Sequence, residues 1–350
     1  MKYLKKILPV FLTLLLLAGM LYLLSILTGP KNNTQEAGHD AWAAYGFEAE
    51  APDSIDMFML GDSESRTSIS PMELFHNEGI TSYCCGINSN ILCEVDDMLH
   101  LVLKEQHPKL IILECNVIFS PFDWKDALET TTARIFPVIR WHNRWKTLTP
   151  EDFTSIPDYT SIEVRKGYYH STYADPAPPF LLDRYMEASE DREPLDGINR
   201  WYLKKIAATC RKQGISLVLM SMPSVKNWTS LKHNTCADLA AELDIPFVDL
   251  NEMKEEIPID WNLDTRDRGD HLNNDGMKKV CTWLGPWLKE QYALEDHRGD
   301  PAYADWDVQA AAFDKLVEEM KGKYFGTIEE ERNQQLEREE EEERQRREQQ

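Results

Sequence analysis

Two short stretches of this 350-residue chain hold residue types that together can make a nucleophile. The first is "DMFMLGDSES", residues 56–65, where an apolar run stops at Gly61-Asp62 and delivers Ser63 to the start of a helical pattern. The second is "DTRDRGDHLNNDG", residues 264–276, where Asp267 and Asp270 flank His271. A serine hydroxyl attacks a carbonyl only if a base takes its proton, and a histidine oriented by an acid is a suitable base. The chemistry would be acyl transfer through Ser63, with His271 as base and one of the two aspartates holding the imidazole. A serine at a helix start also has a plainer use as an N-cap. Among the nine histidines, His271 stands apart: His39 falls in a polar linker, His100 and His107 in a helix and its end, and the settings of the other five, His76, His142, His170, His233 and His297, offer nothing comparable.

These residues need a scaffold that brings positions about 200 residues apart to one place. Apolar strand candidates fall at 56–60, 80–85, 110–115, 216–222 and 246–250, with helical patterns at 71–77, 91–105, 197–213, 230–243 and 275–294. Strands alternating with helices predict an α/β fold with a parallel sheet covered on both faces, and near-continuous apolar strands fit burial on both sides. Ligands in such sheets bind at the carboxyl ends of the strands. Ser63 follows the first strand at that edge, at a helix N-terminus that favours developing negative charge, and His271 lies between the last strand and the last helix.

A Gly-Asp-Ser block on the first strand followed, near the C-terminal end, by an Asp–His loop resembles the SGNH (GDSL-type) hydrolase superfamily over roughly residues 53–120 and 200–292. The resemblance implies a three-layer α/β/α, flavodoxin-like sheet. It also implies an oxyanion hole made by the backbone N–H of Ser63, by Gly86 in "SYCCGIN" and by Asn116 in "LECNVIF", with Asn88 as a substitute. Two departures are visible. The superfamily's usual aspartate three residues before the histidine is replaced by Arg268, so Asp267 or Asp270 must orient His271, or the pair works as a dyad. The usual Gly-x-Asn-Asp block reads Glu114-Cys115-Asn116.

Lys2, Lys5 and Lys6 precede 22 uncharged residues, Ile7 to Thr28, enough to span a bilayer core. The run is longer than a signal peptide's apolar region and has no A-x-A-like cleavage site, so an uncleaved single-pass anchor is expected. The lysines place the N-terminus (1–6) in the cytoplasm and the body outside it. The expected organisation is an anchor at 7–28, a linker at 29–52, the α/β domain at 53–298 and a helical then Glu/Arg/Gln-rich tail at 299–350. The net charge of −22 argues against nucleic acid as a partner. Seven cysteines, an odd number, leave at least one unpaired, and "YCCG" lacks the pairs or histidines of a zinc site. No metal or organic cofactor is indicated.

A long aromatic- and proline-rich insertion at about 119–195 reads as a packed subdomain or lid. Its Trp141, His142, Arg144 and Trp145 are candidates to face a sugar. An anchored extracytoplasmic domain of this kind is similar to the accessory proteins of lipoteichoic acid D-alanylation and alginate O-acetylation. That likeness implies an O-acyl (acetyl) transferase working on a cell-surface glycan or teichoic polymer beside a membrane-bound O-acyltransferase. An extracytoplasmic carbohydrate esterase and a non-catalytic docking module are the alternatives.

Overall fold

The computed structural model describes residues 4–37 and 41–321. His39 and the charged tail at 329–350 lie outside the described residues. With one-turn helices left unnumbered, the elements are α1 (Leu4–Thr28), β1 (Met57–Leu60), α2 (Ser63–Ser68), α3 (Pro71–Glu78), β2 (Ser82–Cys84), α4 (Leu92–Val102), β3 (Leu110–Glu114), α5 (Trp124–Ile135), α6 (Gly197–Gln213), β4 (Ser216–Ser221), α7 (Ser230–Leu243), β5 (Phe247–Asp249), α8 (Asn274–Tyr292) and α9 (Ala304–Lys321).

The five strands form one all-parallel sheet in the order β2-β1-β3-β4-β5, with Met57 opposite Ser82 on one side and Leu110 on the other. β1 to β3 are buried along their whole length, which is why they read as unbroken apolar runs rather than as alternating ones. In this doubly wound order the chain leaves β1 for β2 on one side and β3 on the other. The crevice outside β1 is therefore the switch point at which such sheets bind ligands. Helix boundaries follow local chemistry: Ser70 caps α3 ahead of Pro71, Gly79 (φ 73°) ends it, and Gly214 (φ 73°) ends α6. The strands are one or two residues shorter at their ends than the apolar runs suggest, because only the central residues pair.

Two expected boundaries move. The segment before β1 is not a loose linker throughout: Ala43, Ala44 and Phe47 are buried, and the Tyr83 hydroxyl donates to the Ala43 carbonyl at 2.8 Å. The helix after residue 299 belongs to the domain, since Trp306, Ala310 and Phe313 of α9 are buried and Trp306 meets Phe75 at 5.5 Å. Lys166 joins both additions. It is fully buried, with its ammonium bonded to Glu50 and Gln309 and 4.6 Å from the Trp306 ring centre. Removing one partner of a buried ion pair leaves an uncompensated charge, so Lys166→Ala is expected to cost about 3–5 kcal/mol, read as a lower denaturation midpoint.

α1 is apolar and exposed over most of its length, as at Ile7, Phe11 and Leu14, and is the one described helix long and apolar enough to cross a membrane. Its C-terminal end is gripped by the insertion. The Val138 N–H donates to Ser25 Oγ at 3.0 Å, and Arg144 donates to the carbonyls of Thr28 (2.8 Å) and Gly29 (2.6 Å) while pairing with Asp152. Trp141 lines a cavity of about 370 Å³ with Ser25, Gly29, Arg140 and Tyr159. Arg140 is ion-paired with Asp97 of α4, a helix that runs away from the carboxyl edge of the sheet. The segment holding Trp141, His142, Arg144 and Trp145 thus forms a collar at the C-terminal end of α1, held there by the bonds of Val138 and Arg144. His142 bonds to the Ile139 carbonyl, and Trp145 is exposed with Lys146 over its ring. All seven cysteines are free and buried, behaving as small apolar side chains.

Candidate active site

The turn after β1 is built around Asp62, which caps α2 by accepting from the Glu64 N–H at 2.9 Å. That places Ser63 in the first turn of α2, where backbone N–H groups have no intrahelical partner and can receive an oxyanion. On the far side, Asn273 caps α8, accepting from the N–H groups of Asp275 (3.0 Å) and Gly276 (3.2 Å), and fixes the chain two residues after His271. The two caps aim their loops at each other. His271 Nε2 lies 2.8 Å from Ser63 Oγ, although the residues are 208 positions apart.

Asp267 supplies the third member. One carboxylate oxygen accepts from the His271 backbone N–H at 2.7 Å, and the other lies 2.6 Å from Nδ1. With Nδ1 donating to Asp267, Nε2 is left as an acceptor for the serine proton. The residue three before His271, Arg268, has φ 64° and is followed by Gly269 at φ 91°. This left-handed pair turns the Arg268 side chain outward and brings the carboxylate in from one residue earlier. Asp270 is further from Nδ1, at 3.7 Å, and is spent on Lys226 (2.7 Å) and on the Asn227 amide. Burial pushes the Asp267 carboxyl up, but hydrogen bonds and charge from His271 outweigh it and hold the group below the usual range. Asp267, Asp270 and His271 are close enough to one another to hold a cation, yet each already has the partner just described.

Behind the serine lie two further carboxyls at the carboxyl ends of β1 and β3. Glu64 and Glu114 are buried, and burial followed by the charge of Asp62 pushes both well above the usual carboxylate range. Glu114 accepts from the backbone N–H groups of Asn116 and Val117 (3.2 Å to the latter), so the departure from the usual block has a use: its carboxyl caps the turn that carries Asn116. The Asn116 amide nitrogen donates to Asp62 Oδ2 at 3.0 Å, and its oxygen accepts from Lys232 Nζ at 2.8 Å. This fixes which end of the amide faces the residue before Ser63 and leaves its second N–H available. Gly86 is where the loop after β2 meets the serine turn. A Cβ there would clash with Ser65 Oγ and sit 2.5 Å from the Asp62 carbonyl oxygen, so only glycine permits the approach. Asn88 is turned toward Arg66, at 3.4 Å.

The second half of the insertion ties together the loops that carry Ser63 and His271. The Tyr169 N–H donates to the Arg66 carbonyl at 2.8 Å, Asn274 N–H to Ser171 at 2.7 Å and Asp175 N–H to Thr265 at 2.9 Å. Nothing in "KGYYHSTYADP" marks this in the sequence, because the bonds are made by backbone groups. Lys232, Asn227 and Glu64 were missed for a related reason: each acts across more than a hundred residues with a side chain type common on surfaces.

A neighbouring network braces β4 and β5. Asp249 bonds to His233 Nδ1 (2.6 Å), Trp228 Nε1 (2.9 Å) and Ser221. Burial raises Asp249, but these hydrogen bonds together hold it below the usual range, while the hydrogen bond that His233 donates to Asp249 raises His233. The histidine contribution is fully present below its ordinary value of 6.5 and fades as pH rises through the raised one. The aspartate contribution is present above 3.8 and fades on acidification. His233→Gln is therefore expected to lower the denaturation midpoint more at pH 6 than at pH 9, measured by urea titration at both.

No family model and no curated protein sequence matches the chain. Among solved structures it is similar to a lipase/acylhydrolase from Enterococcus faecalis, with 11% identity over 69% of this chain and 98% of that one and a TM-score of 0.35. It is also similar to a GDSL-like lipase from Bacteroides thetaiotaomicron (11% identity, 71% and 96% covered, TM-score 0.35) and to a psychrotrophic esterase from Pseudoalteromonas sp. (11%, 67% and 96%, TM-score 0.34). Ser63, His271 and Asp267 thus meet at the carboxyl edge of an all-parallel α/β sheet, in the order that a serine nucleophile, its base and an orienting acid require.

Proposed function

We propose that the chain is a membrane-anchored, extracytoplasmic serine acyl-ester enzyme. Ser63 accepts an acyl group from a membrane-bound O-acyltransferase and passes it to a hydroxyl of a cell-surface glycan or teichoic polymer. The observation that carries the chemistry is the Ser63–His271–Asp267 relay at 2.8 and 2.6 Å. As Oγ bonds to the acyl carbon, its proton moves to Nε2, the imidazolium is stabilised by Asp267, and charge develops on the carbonyl oxygen toward the Ser63 N–H and the Asn116 amide. Nε2 then protonates the leaving group, and the second half repeats the steps with the acceptor hydroxyl. The apolar α1 and the collar that grips its end support a domain held close to a membrane, where an acyl group arriving from the cytoplasmic side would emerge.

An esterase differs only in using water as the final acceptor. The full chain in detergent, given an activated acetyl ester and then either buffer or a sugar acceptor, separates the two. A Ser63-bound acetyl group, found by peptide mass, that persists in buffer and moves to the sugar supports transfer. Rapid loss to water would make the protein an esterase, and acetylation unchanged in Ser63→Ala would end the serine-centred account.

A further inference from the structure

One charged cluster beside the triad is not used by the chemistry above. Arg66 lies three residues after Ser63 on α2, which puts the two side chains on neighbouring positions of one helix face, roughly 5–6 Å apart at Cβ. Arg266 directly precedes Asp267. Both guanidiniums lie over the ring of Tyr169, at 5.3 Å for Arg66 and 4.4 Å for Arg266. The Nε atom of each is buried and has no hydrogen-bond partner. Among the described residues no carboxylate pairs with Arg66, whose one side-chain partner is the neutral Asn88 amide oxygen at a long 3.4 Å. Arg266 has Asp267 at 3.7 Å, but that carboxylate is already bonded twice to His271. Arg165, the third arginine nearby, is satisfied by a two-pronged pair with Glu163.

Two partly buried guanidiniums turned to one tyrosine repel each other and are costly without a counter-charge. Burial first, then Arg165 and Arg266, pushes Arg66 below its ordinary value. In a chain of net charge −22 a spare carboxylate would be easy to supply, so its absence here is informative. Arginine forks suit the oxygens of phosphate and carboxylate groups.

We propose that Arg66 and Arg266, held over Tyr169, form an oxyanion-binding subsite next to Ser63, so that the substrate handled at Ser63 carries a phosphodiester or a carboxylate close to the hydroxyl or ester that reacts. The inference rests on the reading of Ser63 as the reacting residue. It adds the substrate's charge to that reading: neutral sugars are poor substrates, and anionic polymers are selected by a contact one helical turn from the nucleophile.

The test is binding by the full-length Ser63→Ala chain in detergent, titrated calorimetrically with glycerol 3-phosphate, with glucuronate and with uncharged glycerol. At least one anion is expected to bind while glycerol does not, and the affinity should fall at least tenfold in Arg66→Gln and in Arg266→Gln, and less in the matching lysine variants. Binding of glycerol 3-phosphate alone points to a phosphodiester substrate, and binding of glucuronate alone to a uronate one. Equal melting temperatures establish that the variants are folded. An anion affinity no better than that of glycerol, or one unchanged in both glutamine variants, overturns the proposal. Because Ser63 is absent from this experiment, its result is separable from that of the serine account. Fluorophosphonate labelling of the wild-type chain tests that account, and either can fail alone.

Discussion

Asp267→Asn is expected to slow acylation of Ser63 by about 10⁴-fold, the cost of losing the carboxylate that sets the imidazole tautomer in a serine–histidine–aspartate relay. The amide cannot accept the Nδ1 proton and the His271 backbone N–H together as Asp267 does, at 2.6 and 2.7 Å. It favours the tautomer with the proton on Nε2, where the base must be empty. Asp270→Asn is expected to cost no more than about tenfold, because Asp270 stands 3.7 Å from Nδ1 and mainly holds Lys226 and Asn227. Initial rates of fluorophosphonate labelling for both variants measure this directly. Equal losses would mean that the two carboxylates share the role, and a larger loss at Asp270 would reverse the assignment.

Asn116→Ala is expected to reduce acylation by about 10²–10³-fold, the loss seen when one donor to a developing oxyanion is removed. The argument rests on how firmly this amide is oriented. Its oxygen accepts a hydrogen bond from Lys232, its nitrogen donates one to Asp62, and Glu114 secures its backbone. A donor fixed in advance needs no reorganisation when charge appears. Lys232→Met should give a smaller loss, since it frees the amide to turn without deleting it. Rates for the two variants, with unchanged melting temperature for Asn116→Ala, check both statements.

Most of the sheet was legible because parallel strands covered on both faces leave continuous apolar runs, as in "LIILE" of β3, and because helices α6 and α7 end at Gly214 and at a turn after Leu243. Ser63 and His271 were legible for a different reason: each sits in a capping turn, and Gly-Asp-Ser and Asn-Asn-Asp-Gly are turn sequences. The choice between Asp267 and Asp270 was not, since it depends on the left-handed backbone at Arg268, which no residue type announces. The place of Trp141, His142, Arg144 and Trp145 was not legible, because an aromatic and basic cluster suits a sugar-binding face and the end of an apolar helix equally. The bonds from Arg144 to Thr28 and Gly29 place it at the end of α1. The buried Lys166 was invisible, as its partners Glu50 and Gln309 lie more than a hundred residues away on either side.

The central claim is that His271 and Asp267 make Ser63 a nucleophile. The measurement that tests it most directly is the intact mass of the full chain in detergent after exposure to a fluorophosphonate, beside Ser63→Ala and His271→Ala. A single phosphonyl adduct on the wild-type chain, absent from Ser63→Ala and nearly absent from His271→Ala, is the predicted result. An unmodified wild-type chain, or an adduct that survives Ser63→Ala, would contradict it.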